Sequence, residues 1–423
     1  MKRNLRLNPH LLSWLVVVST VGPCLAGDQA WPQWRGPRRD GISRETGLLK
    51  QWPEGGPKLL WSASGCGKGY SSVAVTEALI YTAGTKEEQT SVLAFDLTGK
   101  LKWSAPNGKP WKAAPDMVWA KTYDGARATP TADGGLVYHL NEMGQLSAFD
   151  AQSGKVVWSL DVLEKFGAKC PRYGYAESVL VDGDRLICTP GGAQGFMVAL
   201  DKKTGSTVWV NTEISEGAGF ASPILVEDHG IRQIITLSEE AIVGVDASTG
   251  KLLWRHPFTN QRKNNIPTPI YHNGFVFGST GYGAGSLLLK LAFDGKAVTA
   301  GKVWANTELD NLHGGVVLAD GFLYGAAKEQ PAWACLDFAT GQPKYRDSSL
   351  GVGSLTCADG MLYCLAERGT MALVRCTPER FDVISRFDVP KGGDGLFWAH
   401  PVVCGGRLYI RHADKLYAYD IGR

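Results

Sequence analysis

Nine residues stand in short segments that each precede an apolar, strand-like run, so their side chains are expected to line one common opening. They are Arg127, Arg172, Tyr173, Tyr175, Glu177, Asn265, His313, Trp398 and His400. Aromatic rings offer stacking faces and the polar groups offer hydrogen bonds, a combination suited to a flat polar ligand. The alternative is that these residues only cap strands and hold water. We predict a binding site at this opening and assign no catalytic residue.

The sequence gives weaker support for a metal site or a catalytic nucleophile. Glu177, Asn265 and Asn311 carry the hard oxygen atoms that calcium prefers, but the sequence has no contiguous oxygen-rich loop, so we predict no metal site. The sequence also lacks G-x-S-x-G, H-E-x-x-H and Walker motifs.

The segment between Trp103 and Arg127 is longer than a connection between strands requires. It contains Trp111, Lys112, Trp119, Lys121 and Tyr123. Two interpretations remain open: a recognition loop for a polymer, peptide or acidic ligand, or a flap that buries its tryptophans over the opening.

The placement of these candidate residues follows from a sequence repeat that covers most of the chain. The phrase Ala94-Phe95-Asp96-Leu97-Thr98-Gly99-Lys100-Leu101-Lys102-Trp103 recurs in copies that end at Trp158, Trp209 and Trp254, with weaker copies ending at Trp304, Tyr345 and Phe387. The period is 41 to 55 residues, the length of one four-stranded propeller blade. In each turn we expect the aspartate to accept amide hydrogen bonds, the glycine to supply positive φ, and the tryptophan to contact the next blade. The sequence predicts an all-β, eight-bladed propeller.

The last repeat is incomplete, since residues 400–420 supply only three strands. Because an open ring would leave unpaired backbone groups at its edges, we expect residues 57–61, with Trp61, to complete the eighth blade.

The first 26 residues have the pattern of a signal peptide: basic Lys2, Arg3 and Arg6, an apolar stretch, then Cys24-Leu25-Ala26. We predict cleavage after Ala26, an extension at 27–56, a propeller at 57–423, and a periplasmic or secreted product with no transmembrane segment. Basic and acidic residues nearly balance, which argues against nucleic acid as a partner. We interpret the eight remaining cysteines as buried small hydrophobic residues.

The repeated phrase resembles the tryptophan-docking motif of the pyrroloquinoline-quinone (PQQ) dehydrogenases, and the same repeat occurs in the outer-membrane assembly factor BamB. Trp31-Pro32-Gln33-Trp34-Arg35-Gly36-Pro37 and His313-Gly314-Gly315-Val316-Val317 resemble segments of secreted PQQ-repeat proteins. The resemblance implies an eight-bladed fold, with PQQ and calcium as possible cofactors. The chain has no adjacent cysteine pair and no large insertions, both of which the dehydrogenases have.

We therefore predict a non-catalytic scaffold propeller of the bacterial cell envelope that binds a small molecule, a polymer or an envelope protein. The alternative is a PQQ-dependent dehydrogenase that oxidises an alcohol or sugar in the periplasm. We expect a roughly balanced charge at the opening, with Lys68, Arg127 and Arg172 offset by Asp124, Glu177 and Glu216, and therefore weak binding of PQQ with calcium or none.

Overall fold

The computed structural model describes residues 30–117, 120 and 123–423. The predicted signal peptide, with its cleavage site after Ala26, lies outside the described residues. The described chain forms eight four-stranded antiparallel sheets arranged as the blades of a propeller, one of which gains a fifth strand. The predicted all-β, eight-bladed architecture is confirmed.

Each blade runs from an inner strand at the central channel to an outer strand at the rim. The bounds in blades 1 to 4 are β3 (Ala74–Val75), β4 (Leu79–Lys86), β5 (Gln89–Asp96) and β6 (Leu101–Pro106); β7 (Thr131–Asp133), β8 (Leu136–Leu140), β9 (Gln145–Asp150) and β10 (Val156–Asp161); β11 (Leu180–Asp182), β12 (Arg185–Cys188), β13 (Met197–Asp201) and β14 (Thr207–Asn211); β15 (Ile224–Asp228), β16 (Ile231–Leu237), β17 (Ala241–Asp246) and β18 (Leu252–Pro257). A short helix, α1 (Val162–Phe166), follows β10.

The remaining blades follow the same order. Their bounds are β19 (Ile270–His272), β20 (Phe275–Thr280), β21 (Gly285–Asp294) and β22 (Ala297–Asn306) in blade 5; β23 (Val316–Ala319), β24 (Phe322–Ala327), β25 (Ala332–Asp337) and β26 (Pro343–Asp347) in blade 6; β27 (Gly353–Ala358), β28 (Met361–Ala366), β29 (Thr370–Arg375) and β30 (Val383–Asp388) in blade 7, with β1 (Ile42–Ser43) inside it; and β31 (Val402–Cys404), β32 (Arg407–His412) and β33 (Lys415–Asp420) in blade 8, with β2 (Lys58–Ser64) outside it.

The ring closes as predicted from the incomplete last repeat. Strand β2 pairs antiparallel with β33, with Trp61 opposite Ala418. The closing strand extends to Ser64, three residues beyond the predicted 57–61 segment. Strand β33 therefore has a hydrogen-bonded partner on its outer side, as closure of the ring requires.

The repeated turn works as its residue types require. The Asp96 carboxylate accepts hydrogen bonds from the backbone nitrogens of Thr98 and Lys100, and Gly99 has a φ of 83°. The docking indoles donate to the carbonyl oxygen that follows the aspartate in the next blade: Trp61 to Leu97, Trp103 to Ala151, Trp158 to Lys202, Trp209 to Ala247 and Trp304 to Phe338.

Trp254 is an exception to this rule. Its indole donates to the side-chain oxygen of Gln233 in its own blade, at 2.7 Å. In blade 5, β21 and β22 form a long hairpin that turns at Gly295, without the docking turn of the other blades. Trp254 still packs against blade 5, in one apolar cluster with Val276 and Leu287, so the expected contact with the next blade is confirmed here without the hydrogen bond.

The N-terminal segment 30–45 lies in the central channel and contacts all eight blades. In blade order the contacts are Trp31 with Val75, Pro32 with Ala132, Arg39 with Ser178 and with Pro223, Trp34 with Thr268, Arg35 with Val316, β1 with β27, and Glu45 with Gly405 and Gly406. The domain division at residue 57 remains a prediction, but this segment belongs structurally to the interior of the ring.

The core consists of apolar layers between neighbouring blades, such as Tyr138, Leu146, Leu186 and Val198 between blades 2 and 3. None of the eight cysteines in the described chain forms a disulfide bond, and six of them are buried. The described part of the chain contains no helix with the length and apolar character that a membrane crossing requires.

Candidate functional site

A pocket of about 440 Å³ opens at the channel face that carries the segments preceding the inner strands. Its floor comes from the N-terminal segment through Trp34 and Arg35, and its walls come from the blades. Its aromatic lining residues are Trp34, Tyr70, Tyr123, Tyr173, Phe220, Tyr282, His313, Trp398 and His400, and its cationic lining residues are Arg35, Arg127, Arg262 and Lys328.

Trp398 is the centre of an aromatic cluster in one wall. His313 stacks on it at 4.2 Å between ring centroids with an interplanar angle of 21°, and Tyr70 and Tyr123 lie at 5.0 and 5.2 Å. The indole nitrogen donates to Glu367 at 2.8 Å, which fixes the orientation of the ring. Several flat faces therefore line one side of the pocket.

Two neutral histidines connect this wall to the floor. His400 Nε2 donates to the carbonyl oxygen of His313 at 2.9 Å, and its ring lies 4.4 Å from that of Trp34. Burial lowers the pKa of each imidazole to about 3, helped by the nearby cations Lys328 for His313 and Arg35 for His400. At neutral pH both rings act as uncharged hydrogen-bonding groups.

Arg127 places a positive charge in the wall, on a partly buried side chain. One guanidinium nitrogen donates to the carbonyl oxygen of Tyr123 at 2.7 Å, and the group lies 4.9 Å above the ring of Trp111. Its Nη1 atom is buried and has no hydrogen-bond partner among the described residues. Burial lowers the pKa of Arg127, and burial also raises the pKa of the adjacent Glu142 carboxyl. The attraction between the Arg127 and Glu142 charges opposes both of these pKa shifts.

The rim carries two further cations. Arg262 is exposed and lies 4.9 Å above the ring of Tyr282, and Lys328 forms an ion pair with Glu367 at 3.4 Å. Of the residues described as lining the pocket, none is Asp or Glu. The roughly balanced charge expected from the sequence is therefore wrong: Asp124, Glu177 and Glu216 do not face the cavity, and four cations do.

The structure brings five of the nine predicted site residues together in the pocket lining: Arg127, Tyr173, His313, Trp398 and His400. The other four side chains lie elsewhere. Tyr175 is 1% exposed and donates to the carbonyl oxygen of Pro190. Asn265 is fully buried, and its amide nitrogen donates to the carbonyl oxygens of Ser238 and Phe258, whereas its neighbour Asn264 lines the pocket.

Arg172 and Glu177 are the remaining two. Arg172 lines a separate open groove beside Trp111 and Lys112. Glu177 is 1% exposed and accepts from the backbone nitrogen of Thr189, in the field of Arg39. The reason is geometric: the segments before the inner strands have no regular period, so adjacent residues face different ways.

The long loop after blade 1 favours the flap interpretation for one of its tryptophans. Trp111 is 6% exposed and packs with Met117, Ala120 and Tyr173. Lys112 is exposed and paired with Glu88, and Tyr123 lines the pocket. Trp119 and Lys121 lie outside the described residues.

The repeat pattern did not predict that several of the pocket residues would lie in the site. Trp34 and Arg35 come from the segment that precedes the propeller repeats, and Tyr282 comes from a glycine-rich turn that resembles an ordinary hairpin connection. Lys328 and Arg262 also stand in loops. Only the tertiary arrangement shows that these residues converge.

A family model described as outer membrane protein assembly factor BamB matches residues 88–347 of this chain. The chain belongs to this family. Quinohemoprotein alcohol dehydrogenase ADH IIB of Pseudomonas putida is 27% identical over 159 residues, which are 33% of this chain and 21% of that protein. BamB of Bordetella pertussis is 28% identical over 121 residues, 29% of this chain and 26% of that protein. The matched stretches thus span about a quarter or less of these relatives.

Solved structures agree with this BamB-family fold. BamB from Moraxella catarrhalis has a TM-score of 0.60 at 13% identity, with 86% of this chain and 100% of that chain covered. Quinohemoprotein alcohol dehydrogenase from Comamonas testosteroni has a TM-score of 0.65 at 13% identity, with 93% and 81% covered. At these identities the likeness shows the propeller fold alone.

The described residues of this BamB-family chain do not fit a calcium ion. The buried Glu177 carboxyl group already accepts from the backbone nitrogen of Thr189, and the nearby charge of Arg39 would repel a cation. Asn265 and Asn311 have buried amide oxygens without a partner among the described residues, but two amides carry no charge. No group of three or more His, Cys, Asp or Glu side chains in the described chain is arranged to hold a metal.

Proposed function

We propose that this propeller is a non-catalytic binding protein of the bacterial envelope that holds a small, flat, anionic molecule in the channel-face pocket. The observation that carries the proposal is the composition of the pocket: four cations, many aromatic faces and no carboxylate among its described lining residues. A buried cation is costly unless an anion offsets its charge, so the pocket is electrostatically suited to an acidic ligand.

The size and shape of the pocket support a small-molecule ligand. A volume of about 440 Å³ falls within the usual range for pockets that enclose small organic ligands. The Trp398 cluster offers flat faces on one side, and Arg127 offers an unpartnered N–H group. The two histidines are uncharged and lie among aromatic rings, which supports binding more than proton transfer.

A quinoprotein dehydrogenase is the second candidate, favoured by the quinoprotein dehydrogenases among the relatives. PQQ is flat and carries three carboxylates, so it fits the charge of the pocket; if bound, it would supply redox chemistry. Among the described residues, no group of three or more acidic, histidine or cysteine side chains is arranged to hold a calcium ion. We therefore propose that binding of PQQ requires no calcium and leads to no oxidation of an alcohol or sugar.

Export is part of the proposal. It is supported by the basic and apolar pattern of residues 1–26. Mass spectrometry of the protein from a native envelope should find Gly27 at the N-terminus. A lipid group on Cys24 would instead show a lipoprotein.

The binding proposal is tested by isothermal titration of purified protein with naphthalene dicarboxylate, and with PQQ in the presence of either calcium or EDTA. We expect binding of at least one anion, with no effect of calcium and no dye reduction when alcohols or aldoses are added. Arg127→Gln should weaken binding about tenfold or more, because a charge-assisted hydrogen bond is lost. Arg386→Gln, at an exposed arginine on β30, is the matched control and should bind like wild type.

Two outcomes would overturn the proposal. If no anion binds the wild-type protein, the pocket is not an anion site, and an envelope-protein partner becomes the better hypothesis. Calcium-dependent binding of PQQ together with dye reduction would establish the dehydrogenase.

A further inference from the structure

Arg35 is a buried arginine that does not belong to the repeats. Its side chain lines the pocket floor, and the residue is only 4% exposed. Its Nε and Nη2 groups donate to the carbonyl oxygens of Arg39, Asp40 and Val316. Its Nη1 atom is buried and has no hydrogen-bond partner among the described residues. One N–H donor of the guanidinium, at Nη1, therefore remains unused.

No carboxylate forms an ion pair with Arg35 among the described residues. The charge of Asp40 raises the pKa of Arg35, but the Asp40 carboxylate binds other groups. It accepts hydrogen bonds from the Arg38 guanidinium and from the backbone nitrogen of Ile42, both in the N-terminal segment. Burial lowers the pKa of Arg35 to about 10, so the group is still charged at neutral pH. A buried cation held only by carbonyl oxygens leaves a positive potential on the pocket floor.

Gly315 creates the space beside the spare donor. A Cβ atom at this position would lie 2.2 Å from Arg35 Nη1 and 2.8 Å from His400 Cε1, closer than atoms can approach. Gly315 also lines the pocket. The absence of a side chain at this point therefore leaves Nη1 room beside the pocket wall.

Two hydroxyl groups line the same pocket as Arg35. Thr268 Oγ1 accepts from the indole nitrogen of Trp34 at 2.9 Å, and Ser222 Oγ accepts from the backbone nitrogen of Ser178 at 2.9 Å. Both residues line the pocket. Because each oxygen is used as an acceptor, each hydroxyl proton remains available to donate.

We infer that Arg35, with Thr268 and Ser222, binds a carboxylate of the ligand on the pocket floor, so that the N-terminal segment supplies the charge recognition of the site. This inference rests on the proposed binding function. A carboxylate has two oxygens with about four acceptor positions, which suits several donors at one end of a pocket. The flat part of the same ligand then lies toward the Trp398 cluster.

The test compares a carboxylate with its uncharged analogue. Fluorescence titration gives Kd for naphthoate and for naphthamide with the wild type, Gly315→Ala and Gly351→Ala. Gly315 and Gly351 have φ values of 68° and 75°, so alanine strains both alike, but a Cβ at Gly351 meets no atom within 4 Å. The wild type and Gly351→Ala should bind naphthoate about tenfold or more tightly than naphthamide. In Gly315→Ala, where the guanidinium is displaced, this ratio should fall close to one.

Arg35→Met is a second variant, with its fold checked by circular dichroism and melting. It should lose the preference for the acid in the same way while it keeps affinity for the amide. If the preference persists in both variants, the carboxylate binds elsewhere, for example at Arg127, and the inference is wrong although the proposed function stands. If naphthoate does not bind the wild type at all, the inference fails together with the proposed function.

Discussion

The guanidinium of Arg39 donates a hydrogen bond to the carbonyl oxygen of Pro223 at 2.9 Å. The same group also donates to the carbonyl oxygens of Ser178 and Val179, so one residue of the N-terminal segment joins blades 3 and 4. Arg39 is 3% exposed. The centre of the ring is thus held by a side chain that does not belong to the ring.

Replacement of Arg39 by alanine should strongly destabilise the protein. Three buried carbonyl oxygens would lose a charged donor, and we expect a loss of about 2–4 kcal/mol in the free energy of unfolding. Urea denaturation measures the change. Arg38→Ala is the control, since its ion pair with Asp40 is partly exposed and should contribute less than about 1 kcal/mol. Equal losses in the two variants would show that Arg39 does not hold the blades.

Ring closure can be tested at Trp61. Its indole donates to the carbonyl oxygen of Leu97 and packs on Gly99, joining the last blade to the first. Trp61→Ala should cost about 2–4 kcal/mol, because packing and a hydrogen bond are lost together. Leu60, the preceding residue on β2, is 37% exposed, and Leu60→Ala should cost less than about 1 kcal/mol. If both variants melted at the wild-type temperature, closure of the ring through this contact would be contradicted.

The repeat made the ring predictable, but it did not reveal the contents of the channel. The aspartate, glycine and tryptophan of each motif act within one blade or on the next, so their roles follow from local sequence. Arg35 binds the carbonyl oxygen of Val316, 281 residues further along the chain. Arg39 binds that of Ser178, 139 residues further along. No period in the sequence marks such pairs.

The candidate site was predictable only in part, for a related reason. The segments that line the mouth were identified because each precedes an inner strand. Within these segments Asn264 faces the pocket and Asn265 does not, and Tyr173 does while Tyr175 does not. Irregular backbone has no alternation of faces, so the direction of each side chain depends on tertiary contacts.

Glu177 should make stability depend on pH. Burial raises its pKa from 4.5 to about 8, so the folded protein binds an extra proton between those values. The stabilising effect of the neutral carboxyl is complete below about pH 4.5 and is lost as the pH rises toward 8. Glu177→Gln stays neutral throughout. Between pH 5 and 7.5, the wild type should lose about 2–4 kcal/mol relative to this variant in urea denaturation.

The control for this experiment is Glu54→Gln, at an exposed glutamate, whose stability should run parallel to that of the wild type at every pH. Other groups, including the buried histidines, also titrate, so only the difference between variant and wild type is informative. A constant difference between wild type and Glu177→Gln would mean that Glu177 is ionised in the folded protein at low pH.

Glu367 provides a last test, because it reduces the positive charge at the rim. Its carboxylate accepts from Trp398 at 2.8 Å and pairs with Lys328 at 3.4 Å. In Glu367→Gln, the amide oxygen can still accept from the indole, but Lys328 loses its counter-charge. Naphthalene dicarboxylate should therefore bind about three- to tenfold more tightly at low salt, and the gain should shrink at high salt. Naphthamide should bind unchanged, as should both ligands with the control Glu379→Gln, at an exposed glutamate. Unchanged or weaker binding of the dicarboxylate by Glu367→Gln would show that Lys328 does not contribute to anion binding.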